Sequence, residues 1–284
     1  MTKRKAARPS SRPTLAEQAD RHVLYQEAVQ NPEFEVEFFE ERFEELRGRK
    51  ALSMREDFCG TALLSVEWCK SDPERTALGV DNCPDTLAWG REHNIEPAGE
   101  DVDRRLQIEQ ADVRDITEPK VDVACAMNFS YLCFKTRDEL RGYFEVVHKG
   151  LKDDGIFILD LLGGTATMDV NEDVRELEEI DAEYIWDQAE FNPINNELNC
   201  NIHFEFADGS RLDNAFSYTW RLWSLPEVRE LLEEAGFSKV RVYWEEFEDD
   251  GDPDSDYLEG TGNYIEVEEV EQQEAWITYI VAEA

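Results

Sequence analysis

Between residues 51 and 162 short apolar runs alternate with stretches of helical period, and this rhythm leaves few architectures open. A short strand is predicted over 51–55, then a helix carrying Leu63, Leu64 and Trp68. The next strand falls at 76–80 and the next helix over 84–93, with Pro84 in a first turn that needs no amide hydrogen. A strand over 106–108 leads to a turn at Asp112. Residues 121–127 are apolar apart from Asp122, as expected of a strand covered on both faces. Thr136 and Glu139 form a capping box, and Leu140, Tyr143, Phe144, Val147 and Leu151 follow at helical spacing. Asp154-Gly155 is predicted to stop that helix before a second buried strand over 156–162. Such alternation specifies an α/β chain with a doubly wound, mainly parallel sheet.

The flanks break the rhythm. Residues 1–13 hold five basic side chains and no acid, which predicts a disordered basic tail. Two amphipathic helices over 15–30 and 33–46 make 14–50 an N-terminal helical lid. Phe34, Phe38, Phe39, Phe43 and Leu46 recur at helical spacing, a stripe expected to face a core. Residues 163–223 read as antiparallel strands inserted after the fifth strand and covering the active site. There Cys200, Ile202, Phe204 and Phe206 alternate with Asn201, His203 and Glu205. Asp208-Gly209 turns the chain, Phe216, Tyr218, Trp220 and Leu222 alternate on the return, and 184–191 offers a third strand. The frame resumes with a capping box at Ser224 and Glu227, a helix ended by Gly236, and strands over 240–244 and 276–282. The main domain therefore spans 51–284.

Composition excludes several partners. The chain carries 66 Asp and Glu against 29 Lys and Arg, a net charge of −37, which repels phosphate backbones and anionic lipid. No nucleic-acid or membrane partner is expected. Much of the excess lies over 245–284, which has no Lys or Arg and reads as a solvation layer. The beginning lacks the apolar stretch of a secretory signal, and no apolar run is long enough for a membrane span. The six cysteines show neither CxxC nor metal spacing, so reduced thiols, a cytoplasmic location and no metal are expected. The acids of DPDSD at 252–256 have the spacing of half a calcium loop, but Tyr257 and Asn263 occupy its glycine and glutamate positions.

In an open α/β sheet, ligands bind at the carboxyl ends of the strands where strand order reverses. Those ends read REDFCGTA (55–62), GVDN (79–82), ADVRD (111–115), MNFSY (127–131) and LDLLGG (159–164). Glu56, Asp81 and Asp112 thus occur in order, each after a strand. This ordered set resembles the class I S-adenosylmethionine-dependent methyltransferases. GVDNCPDTLAWG is similar to the family's second motif, ADVRDI to its third, and WSLPEVRELLEEAGF with two final strands to its C-terminal pattern. REDFCGTA, NFSY and LLGG are most similar to a bacterial group with an EDFCGT-type first motif. The likeness covers 51–162 and 224–282.

The resemblance implies a Rossmann-like seven-stranded sheet, S-adenosylmethionine as cofactor, and methyl transfer to a small molecule, nitrogen slightly favoured over oxygen. It places Glu56, Phe58 and Cys59 in the first cofactor turn, with Gly60 where the backbone approaches the methionine part. Thr61 and the following helix would offer N–H groups to the methionine carboxylate. Asp81, beside Asn82, would accept both ribose hydroxyls. Asp112 would accept from the adenine amino group and the Val113 N–H would meet a ring nitrogen. Tyr25 would close over the cofactor. Asn128 and Tyr131 would lie by the transferred methyl, and the insertion would bring Tyr218 and Arg221, with Trp186, His203 and Trp220. A nitrogen acceptor needs mainly alignment and exclusion of water. An oxygen or carbon acceptor wants a base, for which Tyr131, His203 and Asp160 are candidates. His22, His93 and His148 sit on predicted helices and read as structural.

Two departures stand out. Phe58 and Ala62 occupy positions where the family has glycine, so the turn must run differently or the cofactor must sit on the phenyl ring. A non-catalytic, acidic cofactor-binding or interaction protein on the same frame would account for both. A nicotinamide oxidoreductase would need GxGxxG, and FCGTA supplies one glycine of the three.

Overall fold

The computed structural model describes residues 12–177, 180–249 and 258–284, so the start of the basic tail and the DPDSD acids lie outside the described residues. Helix α1 (Leu15–Gln18) begins with a Thr14–Glu17 capping box. The single helix predicted over 15–30 is divided at Asp20, whose carboxylate accepts from the His22 and Val23 N–H groups and starts α2 (Arg21–Val29). Asn31 and Pro32 start α3 (Pro32–Arg47), which ends at Gly48 with φ +66.

The alternating frame follows as β1 (Ser53–Asp57), α4 (Leu63–Ser71), β2 (Thr76–Asp81), α5 (Pro84–Gly90), α6 (Glu100–Arg105) and β3 (Leu106–Gln110). It continues as β4 (Val121–Ala126), α7 (Arg137–Gly150) and β5 (Leu151–Gly163). Helix α7 stops at Gly150, not at Asp154-Gly155. Leu151 turns extended there and pairs with Val121, drawing 151–155 into the strand. Then come β6 (Asn171–Leu177), β7 (Ala182–Asn192), β8 (Glu197–Phe206), β9 (Arg211–Arg221), α8 (Leu225–Glu234), β10 (Lys239–Asp249), β11 (Leu258–Glu266) and β12 (Trp276–Glu283).

The main sheet has the order β11-β10-β12-β5-β4-β1-β2-β3. Strands β1 to β5 are parallel, while β12, β10 and β11 join antiparallel. The seven expected strands are present and β11 adds an eighth. Its acidic, glycine-containing sequence LEGTGNYIE carries little strand signal of its own. Strand order reverses between β1 and β4, which marks the ligand end of the sheet.

Each face of the sheet is covered. On one, α7 and α8 bring Tyr143, Phe144, Val147, Leu231 and Leu232. On the other, α3 and α4 bring Val36, Phe38, Phe39, Phe43 and Trp68, so the aromatic stripe of α3 is part of the main core. Residues of β1 alternate between these faces. Arg55 and Asp57 point toward α7, where both are wholly enclosed and ion-paired at 3.0 Å. The Tyr143 hydroxyl donates to Asp57 at 2.8 Å, and Arg55 Nη1 donates to the Ile116 carbonyl. Asp122, the polar exception in β4, accepts from the Leu52 and Ser53 N–H groups and pairs with Arg49 and Lys152. Burial would raise its carboxyl, but these donors win and hold it at about 2.

The insertion forms a second antiparallel sheet, β6-β7-β8-β9. Its strand β6, NEDVREL, has no apolar alternation to reveal it. Registers across Tyr184–Phe204, Trp186–Ile202, Ile202–Phe216 and Cys200–Tyr218 put these side chains on one face. Leu24 and Ala28 of α2 pack into that face.

Candidate functional site

The turn after β1 alternates left-handed residues: Phe58 has φ +59, Gly60 +54 and Ala62 +57. At both departures from glycine the backbone adopts the conformation that favours glycine, at about 1–2 kcal/mol per residue. Packing offsets the cost. The Phe58 ring lies 5.7 Å from Tyr143 and 6.1 Å from Phe134, and Ala62 is buried against α3 and α4.

Asp81 joins this turn to the next. Its Oδ2 accepts from the Gly60 N–H at 2.9 Å and its Oδ1 from the Cys83 N–H at 2.8 Å, so each oxygen keeps a lone pair for another donor. Asp112 accepts from the Arg114 N–H and from the Arg114 guanidinium at 2.9 and 2.6 Å. That pairing holds its carboxyl below the usual range. Phe58, Asp81, Asn82, Asp112 and Val113 line one cleft of about 250 Å³, joined by Arg114, Cys133, Phe134 and Glu139, which sequence reasoning missed. Glu139 was legible only as the capping residue of α7, a part it also plays.

Glu56, Cys59 and Thr61 do not line that cleft. Glu56 is buried and accepts from the Ser65 N–H and hydroxyl, replacing the cap that Ala62 cannot supply to α4. Burial pushes its carboxyl up to about 8. The Cys59 thiol packs at Gly79, where an added Cβ would meet Sγ at 3.0 Å. Thr61 is tied to two helices: its hydroxyl accepts from Gln26 Nε2 at 2.8 Å and its carbonyl from Asn94 Nδ2 at 2.8 Å. Gln26 gave no signal in the sequence. The Leu63 and Leu64 N–H groups that open α4 have no acceptor among the described residues.

At the end of β4, Asn128 and Phe129 are consecutive left-handed residues. Both N–H groups donate to the Asp160 carboxylate, at 2.8 and 2.9 Å, and burial pushes that carboxyl up to about 7. Tyr131 departs from its expected place beside the reacting methyl. It is fully enclosed and its hydroxyl donates to the Asp160 carbonyl at 2.7 Å, so it can serve neither as contact nor as base. Phe129 meets Trp220 at 6.1 Å, Trp220 stacks on Tyr218 at 4.5 Å, and Trp186 lies 5.9 Å from Trp220. Tyr25 packs with Tyr218 in one apolar cluster and lies 4.8 Å from Phe216. An aromatic wall from the insertion and α2 thus stands by the β4 turn.

Arg221 is committed elsewhere. Its guanidinium lies 3.7 Å from the Trp223 ring centre and donates to the Lys135 carbonyl and Glu227. His203 points from the opposite face of the second sheet, between Asp187 and Asp213, because side chains alternate along β8. His22 packs on Trp89 at 5.0 Å, His93 stacks on the same ring at 4.2 Å, and His148 meets Phe237 at 5.1 Å.

The raised carboxyls set a pH dependence. Glu56 and Asp160 hold protons in the folded chain at pH values where the unfolded chain has lost them. Their contribution to stability is complete in the ordinary carboxylate range and is lost as pH rises through about 7 and about 8. Glu56→Gln should therefore gain melting temperature relative to the native chain as pH rises through that window. A difference that stays constant with pH would show that Glu56 is ionised throughout.

No protein-family model matches the sequence, and no curated protein matches it. Solved structures do match by fold, and S-adenosylmethionine-dependent methyltransferases are among them. One, a methyltransferase of that class from Clostridium acetobutylicum, has a TM-score of 0.64 at 18% identity, over 92% of this chain and 96% of its own. CalS10, an amino pentose methyltransferase from Micromonospora echinaspora solved with S-adenosylmethionine bound, scores 0.63 at 14% identity, over 92% and 95%. The sugar N-methyltransferase KedS8 from a Streptoalloteichus species scores 0.58 at 17% identity, over 99% of both chains. The chain has the class I methyltransferase fold with an antiparallel insertion and N-terminal helices. Among the described residues no helix is long and apolar enough to cross a membrane.

Proposed function

We propose that the chain is an S-adenosylmethionine-dependent methyltransferase of small molecules, with an amine as acceptor. One observation carries the reading: Asp81 ends β2, the strand beside β1 and the strand-order reversal, is bound to Gly60 and Cys83, and fronts the cleft. The donor set fits the cofactor. Asp81 has lone pairs for two ribose hydroxyls, the cleft beside Asp112 and Val113 suits a purine, and the first N–H groups of α4 suit a carboxylate. Bound there, S-adenosylmethionine would supply a methyl already activated by its sulfonium.

The remaining work of the protein is then positioning and exclusion of water. Asp160 fixes the Asn128–Phe129 turn, and Tyr25, Tyr218, Trp186 and Trp220 wall off the acceptor side. Aromatic faces favour a cationic amine or sulfonium through their quadrupoles. The amine preference draws support from the amino pentose methyltransferase CalS10 and the sugar N-methyltransferase KedS8, which share the fold. The free cysteines and strongly acidic composition suit a cytoplasmic enzyme without nucleic-acid partners.

The test is calorimetry with S-adenosylmethionine, then a metabolite extract with labelled methyl donor and identification of the labelled product. Absence of binding at micromolar cofactor refutes the reading. Binding without turnover on any pool favours a non-catalytic cofactor-binding protein, to which the glycine substitutions at Phe58 and Ala62 also point.

A further inference from the structure

The chain satisfies its buried acids almost everywhere. Asp57 has Arg55 and Tyr143, Asp122 has Arg49, Lys152 and two backbone N–H groups, Glu56 has Ser65, and Asp160 has Asn128 and Phe129. Glu35 is the exception. It is 5% exposed on α3 and makes no side-chain hydrogen bond or ion pair among the described residues. Its oxygens are also absent from the fully enclosed, unpartnered polar atoms of the fold, so they retain access to a space.

That space is defined by its neighbours. Phe34 and Phe38, beside Glu35 on α3, pack on Tyr264 of β11 and Tyr279 of β12. Tyr279 stands opposite Asp160 in the β12–β5 register. The charged and titratable groups facing Glu35 are Asp160 from β5, Glu56 from β1, the Cys125 thiol from β4 and Tyr279 from β12, with Tyr264 and Glu245 next to Tyr279. None of them is a cation. Burial and the nearby Asp160 and Glu56 push the Glu35 carboxyl well above its ordinary range. A carboxyl so placed has only the N-terminal field of α3 to favour its charge, and an organic cation that carries N–H donors would complement it. Among the described residues no three His, Cys, Asp or Glu side chains converge to hold a metal ion.

We propose that Glu35, with Asp160 across the space, is the seat of an alkylammonium group at the β1–β4–β5 end of the sheet. The proposal rests on the methyltransferase reading for its two sources of such a group: the amino-acid end of the cofactor and the amine acceptor. Binding a cation there would ionise Glu35 and release its proton.

Calorimetry on the full chain at neutral pH, in two buffers of different ionisation heat, tests this with three probes. S-adenosylhomocysteine carries an α-amine, 5′-methylthioadenosine is a related nucleoside thioether without one, and cyclohexylamine is an ammonium without a nucleoside. The native chain should release about one proton on taking up the ammonium, and Glu35→Gln should lose that release and about tenfold or more in affinity. Glu35→Asp, which keeps the charge, should retain the release with weaker binding. A loss seen with S-adenosylhomocysteine but not with methylthioadenosine assigns the seat to the cofactor. A loss seen with cyclohexylamine on protein saturated with S-adenosylhomocysteine assigns it to the acceptor. Equal affinity and equal proton release for all probes in native and Glu35→Gln protein overturn the inference. Failure of both nucleosides to bind the native chain overturns the methyltransferase reading instead, and cyclohexylamine alone then decides Glu35. Melting curves of each variant confirm that it is folded.

Discussion

Replacing Asp81 with alanine is expected to weaken S-adenosylhomocysteine binding by about a hundredfold or more. The estimate follows from two hydroxyl bonds to an ionised carboxylate at about 1.5–3 kcal/mol each. The same change releases the Gly60 and Cys83 N–H groups, so the first turn loses the carboxylate that fastens it to the second. Asp81→Asn keeps one acceptor oxygen and should fall between alanine and the native chain. Calorimetry reads both, and a native-like affinity for Asp81→Ala would show that the ribose lies elsewhere.

The second large effect is on stability. Arg55→Met leaves Asp57 buried with only Tyr143 as partner, and an uncompensated buried charge costs about 3–5 kcal/mol. For a chain of this size the melting temperature should fall by about 10 °C. Arg55→Met combined with Asp57→Leu and Tyr143→Phe removes the whole polar group and should recover most of the loss. A single variant as stable as the native chain would mean that the pair contributes nothing. Gly150 belongs to the same arrangement, since a Cβ there would come within 2.4 Å of the Arg55 guanidinium.

The frame was legible because its signals are local. Capping boxes at Thr136 and Ser224 and the apolar run of β4 need only a few neighbouring residues to be read. Strands β6 and β11 escaped because their sequences are acidic and lack alternation, and their pairing partners rather than their own residues define them. The cleft fronted by Asp81 was half legible. Phe58, Asp81, Asn82, Asp112 and Val113 follow strands and came together as expected, whereas Arg114, Phe134 and Glu139 arrive from tertiary packing. The same packing removed Tyr131 from reach, because Asp160 took its hydroxyl, and gave Glu56 to Ser65. Glu35 was hidden among the surface glutamates of PEFEVEFFEERFEELR, where spacing alone does not tell a buried acid from a solvated one.

Helix α2 touches two places at once: Gln26 holds Thr61 of the first turn, and Tyr25 packs against Phe216 and Tyr218 of the insertion. Under the proposed function, one nine-residue element is therefore a shared tenant of the donor side and the acceptor side. A chain wired in this way cannot retune one side in isolation. If the chain is the methyltransferase proposed above, changes to the insertion will register in donor affinity, and grafting the insertion onto another frame of this fold will succeed only if α2 travels with it.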